Sequence, residues 1–245
     1  MTQSVKAQDK PLRNRLQVIR QHIQEACLRC GRGSEDVRLI GVSKLQPIFH
    51  LVSAIQSGLF AFGENYSQEL LGKQEIMRRE YPQYLRQIEW HYIGRLQRRK
   101  IRQLVGHVDW IHSLDTIELA KEIDRRAAEQ GLVQKTLIQV HQGHEGGKGG
   151  VIPEELPQLI KSCLDLPHVQ LLGLMTLPPY QEHADAVRPH FAQLRELRDA
   201  INREAVYKEP LMQLSMGMSH DYEIAIEEGA TMVRIGTALF GNRKS

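Results

Sequence analysis

Two kinds of group in this 245-residue chain could act on one ligand: a lysine that ends an apolar run, and two glycine-bearing turns near the C-terminus. Residues 37–44 read VRLIGVSK, so a strand-like run finishes on Lys44 directly after a serine. A lysine at a strand end can simply carry its charge out to water along an apolar stem. In a partly dry mouth the same amine has a lowered pKa. The neutral amine then attacks an aldehyde to form a Schiff base. The turns are SMGMS, residues 215–219, and RIGT, residues 234–237. Ser219 offers a hydroxyl, the amides after it can point at an anion, and Gly217 lets backbone come close. Gly236 and Thr237 add amides and a second hydroxyl. Taken singly, each turn reads more simply as an N-cap serine or a plain turn glycine.

What would bring these groups together is the order of elements. Leu12, Leu16, Ile19, Ile23 and Ala26 share one stripe of a helix running from Pro11 to about Arg29, while residues 1–10 are polar and expected to be disordered. An alternation then begins. Strands are predicted at VRLIGVS, LFAFG, EWHYIG, HVDWIHSL, KTLIQV, VQLLGLM, LMQLS and TMVRIG, with a helix-length segment after each of the first seven. Pro47 opens and Gly58 closes the first of these helices, Asp115 is expected to cap the fourth with Glu118 in a capping box, and Pro189 kinks or restarts the sixth. Alternating β and α segments imply a parallel sheet with helical crossovers. Eight such units in about 250 residues match a closed (β/α)8 barrel. An open doubly wound sheet is the competitor, but no G-x-G-x-x-G follows the first strand. No linker or shift in composition divides residues 11–245, which are expected to form a single domain.

The working face of such a barrel lies at the carboxyl ends of its strands, and phosphate sites commonly use the loops after strands seven and eight. Lys44, Glu64, Asn65, His112, Ser113, His141, Met175 and Thr176 all fall at or near strand ends in this reading. The 215–219 and 234–237 turns lie opposite Lys44. Together they describe a ligand with a phosphate and an electrophilic carbon. Pyridoxal 5′-phosphate (PLP) has both; so does a sugar phosphate.

Composition removes other classes. The chain is 41% hydrophobic and 25% charged, with a formal charge of +3, an ordinary globular balance. Nucleic-acid binders concentrate a stronger basic bias on one face, and RLQRRKIR (residues 95–102) is better explained as a solvated helix surface. Cys27 and Cys30 form a C-x-x-C within a helical pattern, and Cys163 stands apart from them. A zinc site needs about four ligands, so these are expected to be ordinary thiols. No run approaches the about 20 apolar residues of a membrane span, and MTQSVKAQDK lacks the apolar core of a signal peptide. A cytoplasmic protein is expected.

VSKLQP, FGENYSQE, WHYIGRLQRRK, GLMTLPP and LSMGMSHDYEIAIEEGATMVRIGTALFG together resemble the pyridoxal phosphate homeostasis protein family, over residues 39–245. That family is similar to the barrel domain of alanine racemase without its β-domain. The resemblance implies that Lys44 carries PLP as a Schiff base and that Ser219, Gly236 and Thr237 surround the phosphate. It places Arg234 beside the ring nitrogen or the phosphate, and Asn65, Met216 and Met218 along the pocket. It implies a monomeric PLP carrier, buffer or regulator rather than an enzyme, with apo PLP-dependent enzymes as recipients; a PLP-dependent amino-acid racemase is the alternative. If Arg234 faces the ring nitrogen, the electron sink that PLP enzymes use is weakened, because an arginine cannot hand the ring a proton. The chain departs from the family pattern at His141, in the GGKGG segment that keeps Lys148, and in the arginines of GRLQRRK.

Overall fold

The computed structural model describes residues 3–142, 149–179 and 181–241, with side chains from residue 11 onward. Eight parallel strands close into a barrel in chain order: β1 (Arg38–Val42), β2 (Ala61–Glu64), β3 (Glu89–Tyr92), β4 (Trp110–Leu114), β5 (Gln134–Val140), β6 (Val169–Thr176), β7 (Gln213–Met218) and β8 (Met232–Ile235). Closure is made by β8 pairing with β1, with Arg38 opposite Met232 and Gly41 opposite Ile235. The fold is the expected α/β TIM-type barrel. Helix α1 (Gln3–Arg29) precedes it, and α2 (Ile48–Gln56), α3 (Ser67–Glu80), α4 (Arg98–Leu104), α5 (Ile117–Glu129), α6 (Leu156–Ser162), α7 (Arg188–Arg203), α8 (Tyr222–Glu227) and α9 (Thr237–Phe240) follow in turn.

The stripe read from the sequence is the buried face of α1: Leu12, Leu16, Ile19, Ile23 and Ala26 are all buried. Basic side chains fasten the helix at its margins. Arg15 Nε donates to Leu239 O at 2.6 Å, and Arg29 binds Glu223 and Glu227 at 2.9 and 2.7 Å. The backbone of α1 is helical from Gln3, so its first turns fall in the stretch expected to lack order. Cys27 is buried on the inner face, and Cys30 donates its thiol to Ala26 O at 3.3 Å. Burial raises the Cys27 pKa, as it does for any thiolate moved out of water.

Two expectations are corrected. The cap of α5 is Thr116, whose hydroxyl accepts from Leu119 N at 3.3 Å. Asp115 is taken by the β5 loop instead, where its Oδ2 accepts from Gly150 N at 3.1 Å. His112 lies within β4, not beyond it, and is wholly buried. After β8, Gly236 N-caps the short helix α9, whose Leu239 and Phe240 are buried. At Pro189 the structure chooses the fresh start, with α7 beginning at Arg188.

Candidate cofactor site

Lys44 follows the end of β1 and is half-buried. Its neighbours are fixed by a buried ion cluster. Glu64, the last residue of β2, is fully buried and accepts from Ser43 Oγ at 2.6 Å and from Lys73 Nζ at 2.7 Å. Lys73 of α3 also donates to Ser43 O at 2.5 Å and to Glu69 Oε1 at 2.7 Å, and Glu69 Oε1 accepts from Leu45 N at 2.6 Å. The backbone is thus held on both sides of Lys44. Leu45 sits at φ 59°, a left-handed conformation seldom adopted by a side-chain-bearing residue, with its amide bound by Glu69. Burial raises the Glu64 pKa, and Lys73 and Ser43 oppose that rise.

The second component is the pair of turns after β7 and β8. Ser219 Oγ accepts from Gly236 N and Ala238 N, both at 3.2 Å. Two backbone amides therefore converge on one oxygen, the arrangement that receives an anionic oxygen. A Cβ on Gly236 would stand 3.5 Å from Val42 Cβ, so this turn packs against the end of the strand that leads to Lys44. Gly217 lies at φ 90°, where an added Cβ would come within 2.6 Å of Ala225 Cβ, so glycine is required where β7 bends toward α8. Asp221 closes the bend, accepting from Met218 N at 2.6 Å. Burial raises the Asp221 pKa, while that amide and Arg234 oppose the rise.

Arg234 is 3% exposed and projects into the barrel. Nη1 donates to Ser215 Oγ at 2.6 Å and Nη2 to Thr176 O at 2.8 Å. Burial lowers its pKa to about 10, so it remains a cation at neutral pH. Both terminal nitrogens thus bind acceptors on β7 and at the end of β6. A hollow of about 440 Å³ opens at the mouth, lined among others by Asn65, Arg95, Gln139, Leu177, Met218 and Asp221. Asn65 Oδ1 is buried without a hydrogen-bond partner, and an added Cβ on Gly94 would fall 2.2 Å from Asn65 O, so the β2 and β3 loops touch only because residue 94 is glycine.

Ser219, Gly236, Thr237 and Arg234 therefore lie on and just after β7 and β8 beside the end of β1, and Asn65 and Met218 both line the hollow. Met216 is fully buried inside the wall. His141 is half-buried and hydrogen-bonds through its backbone to Val151, while Lys148 lies outside the described residues. The sequence did not signal Glu69, Lys73 or Ser215. Glu69 and Lys73 have the i,i+4 spacing of an ordinary surface pair, and only the packing of α3 on β2 turns them inward.

A family model described as the alanine racemase N-terminal domain matches residues 12–244. The pyridoxal phosphate homeostasis protein of Aquifex aeolicus is 50% identical over 230 residues, covering 94% of this chain and 97% of the relative. That of Escherichia coli K12 is 39% identical over 227 residues, covering 92% and 94%. PipY of Synechococcus elongatus, solved with PLP bound, has a TM-score of 0.81 at 35% identity, over 94% of this chain and all of that one. Alanine racemase of Clostridium difficile has a TM-score of 0.68 at 18% identity over 57% of its own length, a likeness of fold alone. With a full-length match to such relatives, and a lysine, an amide cradle and a buried arginine at one barrel mouth, the chain belongs to the pyridoxal phosphate homeostasis protein family.

Proposed function

We propose that this protein binds PLP at the barrel mouth through Lys44 Nζ, and that it holds and supplies the cofactor within PLP homeostasis without a reaction of its own. The observation that carries this reading is the convergence of two amides on Ser219 Oγ, in a turn packed against the end of the strand that leads to Lys44. When bound, PLP supplies an aldehyde for an amine and an anionic phosphate for a cradle. The chain's own residues do the rest. Ser219, Gly236 and Thr237 receive the phosphate, and the ion cluster under Ser43 and Leu45 holds the lysine backbone in place. Arg234 faces the ring rather than the phosphate, because Ser215 and Thr176 O hold its terminal nitrogens inside the barrel. Asn65 and Met218 bound the remaining space.

Relatives 50% and 39% identical to this chain bear homeostasis names, and the likeness to racemases is remote in sequence. No helix among the described residues is long and apolar enough to cross a membrane. We place the protein in the cytoplasm, as a monomer whose residues 11–245 act as one domain, with apo PLP-dependent enzymes as recipients. The test is borohydride reduction of the PLP-loaded protein followed by peptide mapping. Label on Lys44, lost in Lys44→Ala, is the expected result. Label on another lysine, or none, would remove the assignment.

A further inference from the structure

Barrel interiors of this kind are filled mainly by branched apolar side chains, and Ile40, Ala61, Trp110, Leu137, Met175 and Met232 do form such a cluster here. A row of polar groups nevertheless runs beside it. Arg234 Nη1 meets Ser215 Oγ at 2.6 Å, and Ser215 Oγ meets His112 Nδ1 at 2.9 Å. His112 Nε2 meets His91 Nδ1 at 2.9 Å, and His91 Nε2 stands 3.5 Å from Glu89 Oε2. That last distance is a long charge contact, not a well-aligned hydrogen bond. Glu89 Oε1 accepts from Trp110 Nε1 at 2.6 Å and from Arg38 Nη1 at 2.8 Å. Ser215, His112 and His91 have no exposed surface. Arg38 and Glu89 begin β1 and β3, so the row ends at the face opposite the mouth.

Burying so many polar groups is costly, and apolar residues of the same volume would serve the core at least as well. The row is satisfied in one direction. Burial would raise the Glu89 pKa, but His91, Trp110 and Arg38 outweigh it and hold the value at about 2. Glu89 is then a carboxylate and only accepts. It turns the Nε2–H of His91 toward itself. Burial keeps both imidazoles neutral, so His91 Nδ1 accepts and His112 donates to it from Nε2. His112 Nδ1 then accepts the Ser215 hydroxyl hydrogen, and the Ser215 oxygen receives Arg234. The reverse order would aim a lone pair of His91 at the carboxylate and deprive Ser215 of this acceptor. The titratable groups facing His91 are Glu89, Arg38 and Asp109; those facing His112 are His91 and Arg234.

We infer that Ser215, His112 and His91 are positioning residues for Arg234, and that Glu89, at the far end of the barrel, sets the direction of their hydrogen bonds and so the presentation of the guanidinium at the mouth. The effect on cofactor binding rests on the reading that Arg234 faces PLP; the direction of the row does not. Histidine-labelled ¹⁵N NMR reads the ring tautomers with no ligand present. Both His91 and His112 are expected as neutral Nε2–H tautomers at pH 7. Glu89→Gln is expected to mix the tautomers at both rings, and Glu89→Asp, which keeps the charge, to preserve them. In absorbance titrations with PLP, Glu89→Gln and Ser215→Ala are each expected to weaken binding by roughly fivefold or more, although Glu89 lies far from the mouth. Circular dichroism confirms that each variant is folded, and Ser215→Ala alone suffices if Glu89→Gln is not. A wild-type His112 protonated on Nδ1 would overturn the row. Affinity within about twofold of wild type in the folded variants would overturn its role at the mouth. Failure of the wild type to bind PLP would instead defeat the cofactor assignment, with the tautomers still deciding the direction.

Discussion

At the scale of single residues, the mouth depends on Lys73, buried in the ion cluster beneath Ser43 and Leu45. Lys73 joins Glu64, Glu69 and Ser43 O, and Glu64 has no exposed surface. Removing one member of a buried ion pair leaves an uncompensated charge and commonly costs 3–5 kcal/mol. Lys73→Met is therefore expected to lower unfolding free energy by about 3 kcal/mol in urea. The double variant Glu64→Gln/Lys73→Met should recover most of that loss, because no buried charge is left alone. Equal losses in the single and double variants would show that the cluster acts through packing. Lys44 stands out in the sequence as a lysine closing an apolar run. Lys73 does not, since its surroundings in SQELLGKQEIMRRE are those of an exposed helix. Its burial follows from where α3 lies, which one helix's periodicity does not specify.

Among elements, strand and helix order was read directly from the alternation of apolar runs with helix-length segments, because every βα unit repeats the same pattern. Ends of elements were less legible. Asp115 and Thr116 are both good caps in sequence, and the choice between them is made by Gly150, a residue remote in the chain that binds the Asp115 carboxylate. Thr116→Ala is expected to cost about 1 kcal/mol, the usual loss for a cap. Thermal unfolding of the two single alanine variants would check this, with Asp115→Ala acting through the β5 loop and leaving α5 helicity intact. Helix α9 escaped notice because TALF is too short for a periodic signal. The buried polar row was hidden for a related reason. Strand alternation marks His91, His112 and Ser215 as inward or outward, but a period of two does not say whether the inside is wet, dry or hydrogen-bonded.

For the molecule as a whole, the same row makes acid a denaturant. The His91 and His112 pKa values are depressed in the folded state from an ordinary 6.5. The folded chain therefore binds fewer protons than the unfolded one, and stability present above pH 6.5 is lost as the pH falls below it. Glu89 adds a second loss at lower pH, between its ordinary 4.5 and about 2. Urea midpoints are expected to be flat above neutrality and to decline below pH 6.5. The decline should be shallower in His91→Gln/His112→Gln; an unchanged slope would mean that other groups govern acid unfolding.

Pairing of β8 with β1 also has a bearing on biosynthesis. The amine of Lys44 leaves the ribosome well before the Gly236 and Ala238 amides. On the proposed reading, vitamin B6 retention then needs the eighth stave to slide in against the first, so tight retention would report a closed barrel rather than a partly made one.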